Sequence, residues 1–191
     1  MNFTRLVREN RSYRRFNEAD PIPRKLMTEM IDLGRICPSG ANRQPLKYMI
    51  VSDRETRDRV FPLLSWAAYL KDWTGPAEGE RPTGYIVILG DTEISQSPSV
   101  DLGICAQTML LLAVEAGYGG CMIASVKKDS LKELLEVPPG LEVLLVIALG
   151  KPGEDVILEE RSPEGDIFYY RDSEDRHHVP KRPLKEVLLR K

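Results

Sequence analysis

Apolar positions repeat along this chain with two different periods. Phe3, Leu6 and Val7 fall at helical spacing and predict a short helix ending near Glu9. Beyond the break at Pro21-Ile22-Pro23, Leu26, Met27, Met30, Leu33 and Ile36 lie on one face of a predicted amphipathic helix from Arg24 to about Ile36, stopped by Pro38-Ser39-Gly40. The runs at 48–51 and 85–89 are continuously apolar and 141–149 is apolar but for Glu142, the pattern of strands covered on both faces. A helix from Asp53 to about Leu64, capped by Ser52 or Asp53, and another capped by Asp129 or Ser130 and running through Leu134-Leu135 fill two of the gaps. Residues 121–124 read as a short strand or turn, 168–171 have strand character, and a short helix through Leu188 closes the chain.

Two stretches depart from this alternation. From Val100 to Gly117 the few polar residues (Asp101, Gln107, Thr108, Glu115) leave no wide solvent face. A helix apolar nearly all round needs cover nearly all round, which one domain of this size has limited means to supply; a subunit interface is the expected partner. Between Trp66 and Pro82 the pattern dissolves into Thr74-Gly75-Pro76-Ala77-Glu78-Gly79 and its flanks, read as a mobile loop or lid. Strands alternating with helices imply one domain over 1–191, α/β or α+β, with helices packed on a central sheet. No internal repeat is visible.

Composition narrows the function classes. A net charge of −2 opposes general nucleic-acid binding, so basic residues act locally. No apolar run approaches the roughly 18 residues of a membrane helix, and Met1-Asn2-Phe3-Thr4-Arg5 has no apolar stretch of the export-signal kind. Three widely spaced cysteines, Cys37, Cys105 and Cys121, suit free thiols in a reducing, cytoplasmic setting. Gly117-Tyr118-Gly119-Gly120 ends a helix where a dinucleotide fingerprint would begin one, and Gly150-Lys151 is followed by Pro152, which excludes a P-loop. His177 and His178 are adjacent, which points their rings apart, and no ligand-spaced partner accompanies them, so no metal site is expected.

What remains is grip without acid–base machinery. Arg11, Ser12 and Arg14 place two guanidinium forks and a hydroxyl within four residues, suited to a phosphate; the ordinary alternative is a basic surface turn. Pro38, Ser39, Gly40 and Asn42 form a small-residue loop that could equally be a helix stop. Lys181 and Arg182 are a basic pair near the end of the chain, or simply exposed cations. Cys121 reads as a small buried residue. The combination fits a protein whose chemistry resides in a cofactor, with no catalytic side chain of its own.

Taken in order, these residues resemble the FMN-dependent nitroreductase family over almost the whole chain. Arg11-Ser12-Tyr13-Arg14-Arg15-Phe16 is similar to its N-terminal Arg-Ser-x-Arg motif, Pro38-Ser39-Gly40-Ala41-Asn42-Arg43-Gln44-Pro45 to its Pro-Ser-x-x-Asn-x-Gln-Pro motif, and Asp101 through Cys121 to its long central helix and Gly-rich turn. Asn10 stands where the family often has a first Arg, and Leu46 where Trp is usual. The resemblance implies an α+β fold with a central, mostly antiparallel sheet flanked by helices, interlocked as a homodimer with FMN at the subunit interface. It implies that Arg11, Ser12 and Arg14, joined by Lys181 and Arg182 of a C-terminal extension over 165–191, hold the phosphate and ribityl chain. Pro38, Ser39, Gly40 and Asn42 of the other subunit, with Met122 and Ile123, would line the ring. It further implies ping-pong hydride transfer from NAD(P)H through flavin N5 to a nitroaromatic, quinone or related small acceptor, with no nucleic-acid or membrane partner. Two rivals stand beside it: another flavin reaction of the family (dehalogenation, flavin fragmentation or heterocycle oxidation), or a non-catalytic flavin or nucleotide binder. Arg15 is the arginine expected to be dispensable for the cofactor.

Overall fold

The computed structural model describes residues 2–189. Its centre is a five-stranded antiparallel sheet. The long strand β5 (Leu141–Pro152) pairs along one edge with β3 (Gly84–Asp91), which in turn pairs with β2 (Leu46–Val51). Along its other edge β5 pairs first with β4 (Gly119–Ile123) and then with the two-residue β1 (Phe16–Asn17). Alternate side chains of β3 and β5 feed two separate cores. Ile86, Ile88, Leu145, Ile147 and Leu149 meet helices α2 (Arg24–Arg35) and α4 (Ser99–Glu115). Tyr85, Val87, Leu89, Val143, Val146 and Ala148 meet α3 (Arg54–Val60), α5 (Lys128–Leu134) and Trp66. Helices therefore cover both faces, which is why these antiparallel strands read as apolar runs rather than alternating ones.

Four expectations need correction. The 48–51 strand is an edge strand: its faces touch both cores, but with only β3 beside it, Tyr48, Met49 and Ile50 stay half-buried and Val51 alone is buried. The predicted 53–64 helix ends at Val60 and continues as a 3₁₀ turn over Phe61–Leu63, because Pro62 cannot extend the α-helical ladder; Asp53 is its cap, with Oδ1 accepting from the Thr56 N–H at 2.8 Å. On α2 the buried stripe is Leu26, Met27, Met30 and Gly34, while Leu33 and Ile36 are exposed. The cause is Gly34: a Cβ there would stand 2.6 Å from Met109 Cε, so the close approach to α4 runs through 27, 30 and 34 and turns Leu33 and Ile36 outward. Helix α5 likewise starts at Lys128, with no side-chain cap bond and Asp129 inside its first turn.

Short helix α1 (Phe3–Glu9) lies against α4. The C-terminal quarter builds a second, three-stranded sheet in which β6 (Val156–Glu160) pairs in parallel with β8 (His177–Lys181) and β8 in antiparallel with β7 (Tyr170–Arg171). One turn of helix, α6 (Leu184–Val187), follows. Among the described residues no helix is long and apolar enough to cross a membrane.

Candidate functional site

Asn10 ends α1, and the arginine-bearing stretch that follows is pinned to the start of β4. Ser12 bridges Gly120 in parallel, and the Tyr13 N–H donates to the Gly120 carbonyl at 3.1 Å. Glycine at 120 is required by the close approach of β4 to β5, since a Cβ there would meet the Ala148 carbonyl oxygen at 2.3 Å. The backbone is held from the other side by Glu154, whose carboxylate accepts from the Arg14 and Arg15 N–H groups and pairs with Arg171 Nη2 at 2.6 Å. Its side chain is 2% exposed, so three donors neutralise a buried charge at one point.

This scaffold sends Arg14 and Arg15 in opposite directions. Arg15 pairs with Asp175 and with Glu80, the latter at 3.3 Å, and lies beside the Trp73 ring. Arg14 turns the other way, over the Tyr169 ring at 4.8 Å, with Nη1 donating to the Ser12 carbonyl at 3.3 Å and lying 3.1 Å from His177 Nε2. Arg11 donates from Nη2 to the Val7 carbonyl at 2.9 Å, and its partly buried guanidinium has its pKa lowered by desolvation. Together with Lys181 these cations line a hollow of about 360 Å³ that holds no carboxylate among the described residues of its wall. Two buried nitrogens there, Arg11 Nε and His177 Nδ1, have no hydrogen-bond partner among the described residues.

Met122 also lines this hollow and leads into a neighbouring one, of about 230 Å³, that shares Arg14, Met122 and Tyr169 with it. The second hollow has a different wall: Trp66, Ala67, Ile123, Ala124 and Ser125, small or apolar and without an ionised group apart from Arg14. A cationic end and a largely neutral end thus adjoin along β4. Cys121 sits in this wall with its thiol pushed up to about 12 by burial, an inert side chain at neutral pH.

The 38–45 loop lies elsewhere. Residues 40–42 form a 3₁₀ turn in which Ala41 and Asn42 have positive φ, as does Gln44. Ser39 Oγ donates to Asp101 Oδ2 at 2.5 Å and the Gly40 N–H donates to Oδ1 at 3.0 Å, hydrogen bonds that lower the pKa of the Asp101 carboxyl. Pro38, Gly40 and Asn42 are exposed, and Ser39 lines a separate cavity of about 160 Å³ with Cys37, Tyr48 and Cys105. Within one chain the loop does not meet Arg11 and Arg14. Arg182 is also apart, facing a third hollow with Arg161 and Glu186.

The sequence model of the nitroreductase family matches residues 7–151. The chain belongs to the nitroreductase family. Among characterised relatives, it is 26% identical over 179 residues to the NADPH-flavin oxidoreductase of Vibrio harveyi, spanning 85% of this chain and 70% of that protein. The solved structure of that NADPH:FMN oxidoreductase complexed with NAD+ superposes with a TM-score of 0.62, at 26% identity and over 79% of this chain and 69% of that one. A nitroreductase family protein from Clostridium novyi NT superposes with a TM-score of 0.67 at 25% identity, over 80% and 87% of the two chains. Another, from Clostridium difficile 630, matches over 99% and 98% with a TM-score of 0.66; at 20% identity that likeness concerns the fold. The antiparallel sheet and flanking helices are thus the nitroreductase fold.

Several residues that line the hollow of this nitroreductase-family chain, or hold its backbone from behind, are not signalled by the sequence. Glu154 lies outside the hollow and accepts from the Arg14 and Arg15 N–H groups some 140 positions away as well as from Arg171, which no local pattern signals. His177 and Tyr169 approach Arg14 because β8 and the chain before β7 fold back across the domain. Gln107 reaches the hollow from α4, where its polarity amid apolar neighbours was the one available sign.

Proposed function

We propose that this nitroreductase-family chain is an FMN-dependent NAD(P)H oxidoreductase acting on nitroaromatic, quinone or related small acceptors. The observation that carries the proposal is the cationic hollow: Arg11, Arg14 and Lys181 converge with, among the described residues, no lining carboxylate and an unpaired, buried Arg11 Nε. Three cations facing an acid-free cavity are poorly served by water alone and well served by a phosphate monoester, whose oxygens accept charge-assisted hydrogen bonds. The adjoining neutral hollow along Met122 and Ile123 suits the flat remainder of such a ligand.

Bound FMN would supply the redox chemistry, taking a hydride from NAD(P)H and passing the electrons to an acceptor. The chain's own residues grip and shield. Arg11, Ser12 and Arg14 would hold the phosphate and ribityl end with Lys181, and the Gly120 pairing fixes their backbone against β4. Buried Trp66 and Ala67 close the neutral end against water and bound the space left for an acceptor. No side chain of the hollows is arranged as a general base, consistent with chemistry resting on the cofactor.

The loop of Pro38, Ser39, Gly40 and Asn42 enters this reading through a second copy. Phe3, Val7, Leu33, Ile36 and Val100 leave the α1–α2–α4 layer openly apolar, and a homodimer would cover it and bring that loop to the partner's flavin. Arg182 would join the site only from such an assembly or after a shift of the C-terminal segment. The test is to add NADH or NADPH to purified protein without oxygen, then a nitroaromatic or quinone. The expected result is reductant oxidation that requires the acceptor; bound flavin with no turnover would favour a non-catalytic binder.

A further inference from the structure

Glu154 stands between β5 and β6, behind the Arg11–Arg15 stretch and outside the hollow. Its Oε1 accepts from the N–H groups of both Arg14 and Arg15, the latter at 3.1 Å. Successive N–H groups that converge on one point form a concavity for an anion; here the anion belongs to the protein. A regular strand turns successive N–H groups to opposite edges, so this convergence bends the chain where Arg14 and Arg15 part.

The second oxygen serves another part of the chain. Oε2 pairs with Arg171 Nη2 of β7 at 2.6 Å, and the two side chains are only 2% and 12% exposed. Arg171 also donates from Nη1 to the Asp175 carbonyl at 3.1 Å, and Asp175 pairs with Arg15. One carboxylate thus joins the N-terminal stretch to the C-terminal sheet. The walls of the hollow divide in the same way: Arg11, Ser12 and Arg14 come from the first, and Tyr169, His177 and Lys181 from the C-terminal segment. Without the Arg171 charge, Glu154 is left buried with backbone donors alone, an unfavourable arrangement that favours a shift of the backbone it holds.

We propose that Glu154 is a positioning residue for phosphate binding, and that its pairing with Arg171 makes the hold on phosphate depend on the docked C-terminal sheet. Glu154 touches no ligand in this role. It acts through Arg14, whose backbone it fixes while the guanidinium lines the hollow. The linkage is reciprocal: docking of the sheet tightens phosphate binding, and bound phosphate tightens docking by the same factor. The proposal rests on reading the Arg11–Arg14 hollow as the FMN phosphate site.

FMN and riboflavin differ only by the phosphate, so the ratio of their dissociation constants isolates its contribution. Both are measured by flavin fluorescence at pH 7 for the wild type, Arg171→Met, Glu154→Gln, Arg14→Ala and the double variant Arg14→Ala/Arg171→Met. Circular dichroism checks folding. Met keeps the apolar stem and removes the charge. Expected for Arg171→Met is FMN binding at least about 5-fold weaker, the lower end of the usual coupling between linked sites, with riboflavin affinity unchanged. In the Arg14→Ala background the same substitution should cause no further loss, because its effect runs through Arg14. Glu154→Gln should behave alike, and it carries the test alone if Arg171→Met does not fold. Hydrogen exchange supplies a second readout: FMN should slow exchange of the 177–181 amides more than riboflavin does, and that difference should fall in Arg171→Met. An unaltered FMN preference, an equal loss for both flavins, or a loss that adds in full to that of Arg14→Ala overturns the proposal. A wild type that takes up neither flavin instead overturns the reading of the hollow itself, and this assignment with it.

Discussion

Arg14 and Arg15 are neighbours of the same type, yet the fold gives them different partners. Arg15 is spent on Asp175, Glu80 and the Trp73 ring, on the side away from the hollow. Arg14 lines it. Arg14→Ala is therefore expected to purify largely without flavin, since each charge-assisted bond to a phosphate contributes roughly 1.5–3 kcal/mol. Arg15→Ala should keep its flavin and lose no more than about 1 kcal/mol of stability, as expected of partly exposed ion pairs. The ratio of flavin to protein absorbance in the two purified variants checks both; a fully yellow Arg14→Ala would refute the phosphate assignment. The Arg-Ser-x-Arg cluster was legible as candidate grip from residue types alone. The direction of each arginine was not, because it is set by Glu154 holding the backbone from a distant part of the chain.

At the scale of elements, legibility followed the length and evenness of the apolar pattern. The runs that became β3 and β5 and the apolar helix α4 were plain in the sequence. In the C-terminal sheet β7 falls within the 168–171 stretch read as strand, but β6 and β8 were not legible, because they are short, mixed in polarity and paired across about 20 intervening residues. Their latch is ionic. His178 lies between Glu159 (Nδ1 to Oε2, 3.1 Å) and Asp172 (Nε2 to Oδ2, 3.0 Å), stacked on Tyr170, with Arg176 bonded to the same Asp172. Both contacts want an imidazolium, and the bonds to Asp172 and then Glu159 raise the pKa of His178. A raised folded value means that this contribution is complete below the ordinary pKa of about 6.5 and disappears as pH climbs through the folded one. Asp172 is shifted the opposite way, chiefly by His178, so its contribution is present above about 3.9 and lost in stronger acid. Hydrogen exchange at the 170–171 and 177–181 amides, corrected for intrinsic rates, should show protection that declines from pH 6 to pH 9, and a flat profile in His178→Gln. Equal pH dependence in both proteins would contradict the latch.

For the whole molecule, the apolar face shared by α1, α2 and α4 and the separation of the 38–45 loop from the Arg14 hollow point to the same arrangement. The sequence carried half of this message: a helix without a polar face implies a partner, but only the packed chain shows that Leu33 and Ile36 join the uncovered surface instead of the core. Light scattering at micromolar concentration should give the mass of two 21.6 kDa chains, and a flavin-loaded monomer would exclude a site shared between subunits. The fold and the family are settled by the sheet, the helices and the 7–151 match; the cofactor is the claim on which the functional account turns. Its most direct test is the visible spectrum of the purified protein, after supplementation with FMN and separation from free flavin, before and after NADH or NADPH is added without oxygen. The account predicts flavin bands that co-purify with the chain and bleach on adding the nicotinamide. A colourless protein that retains no FMN would contradict it.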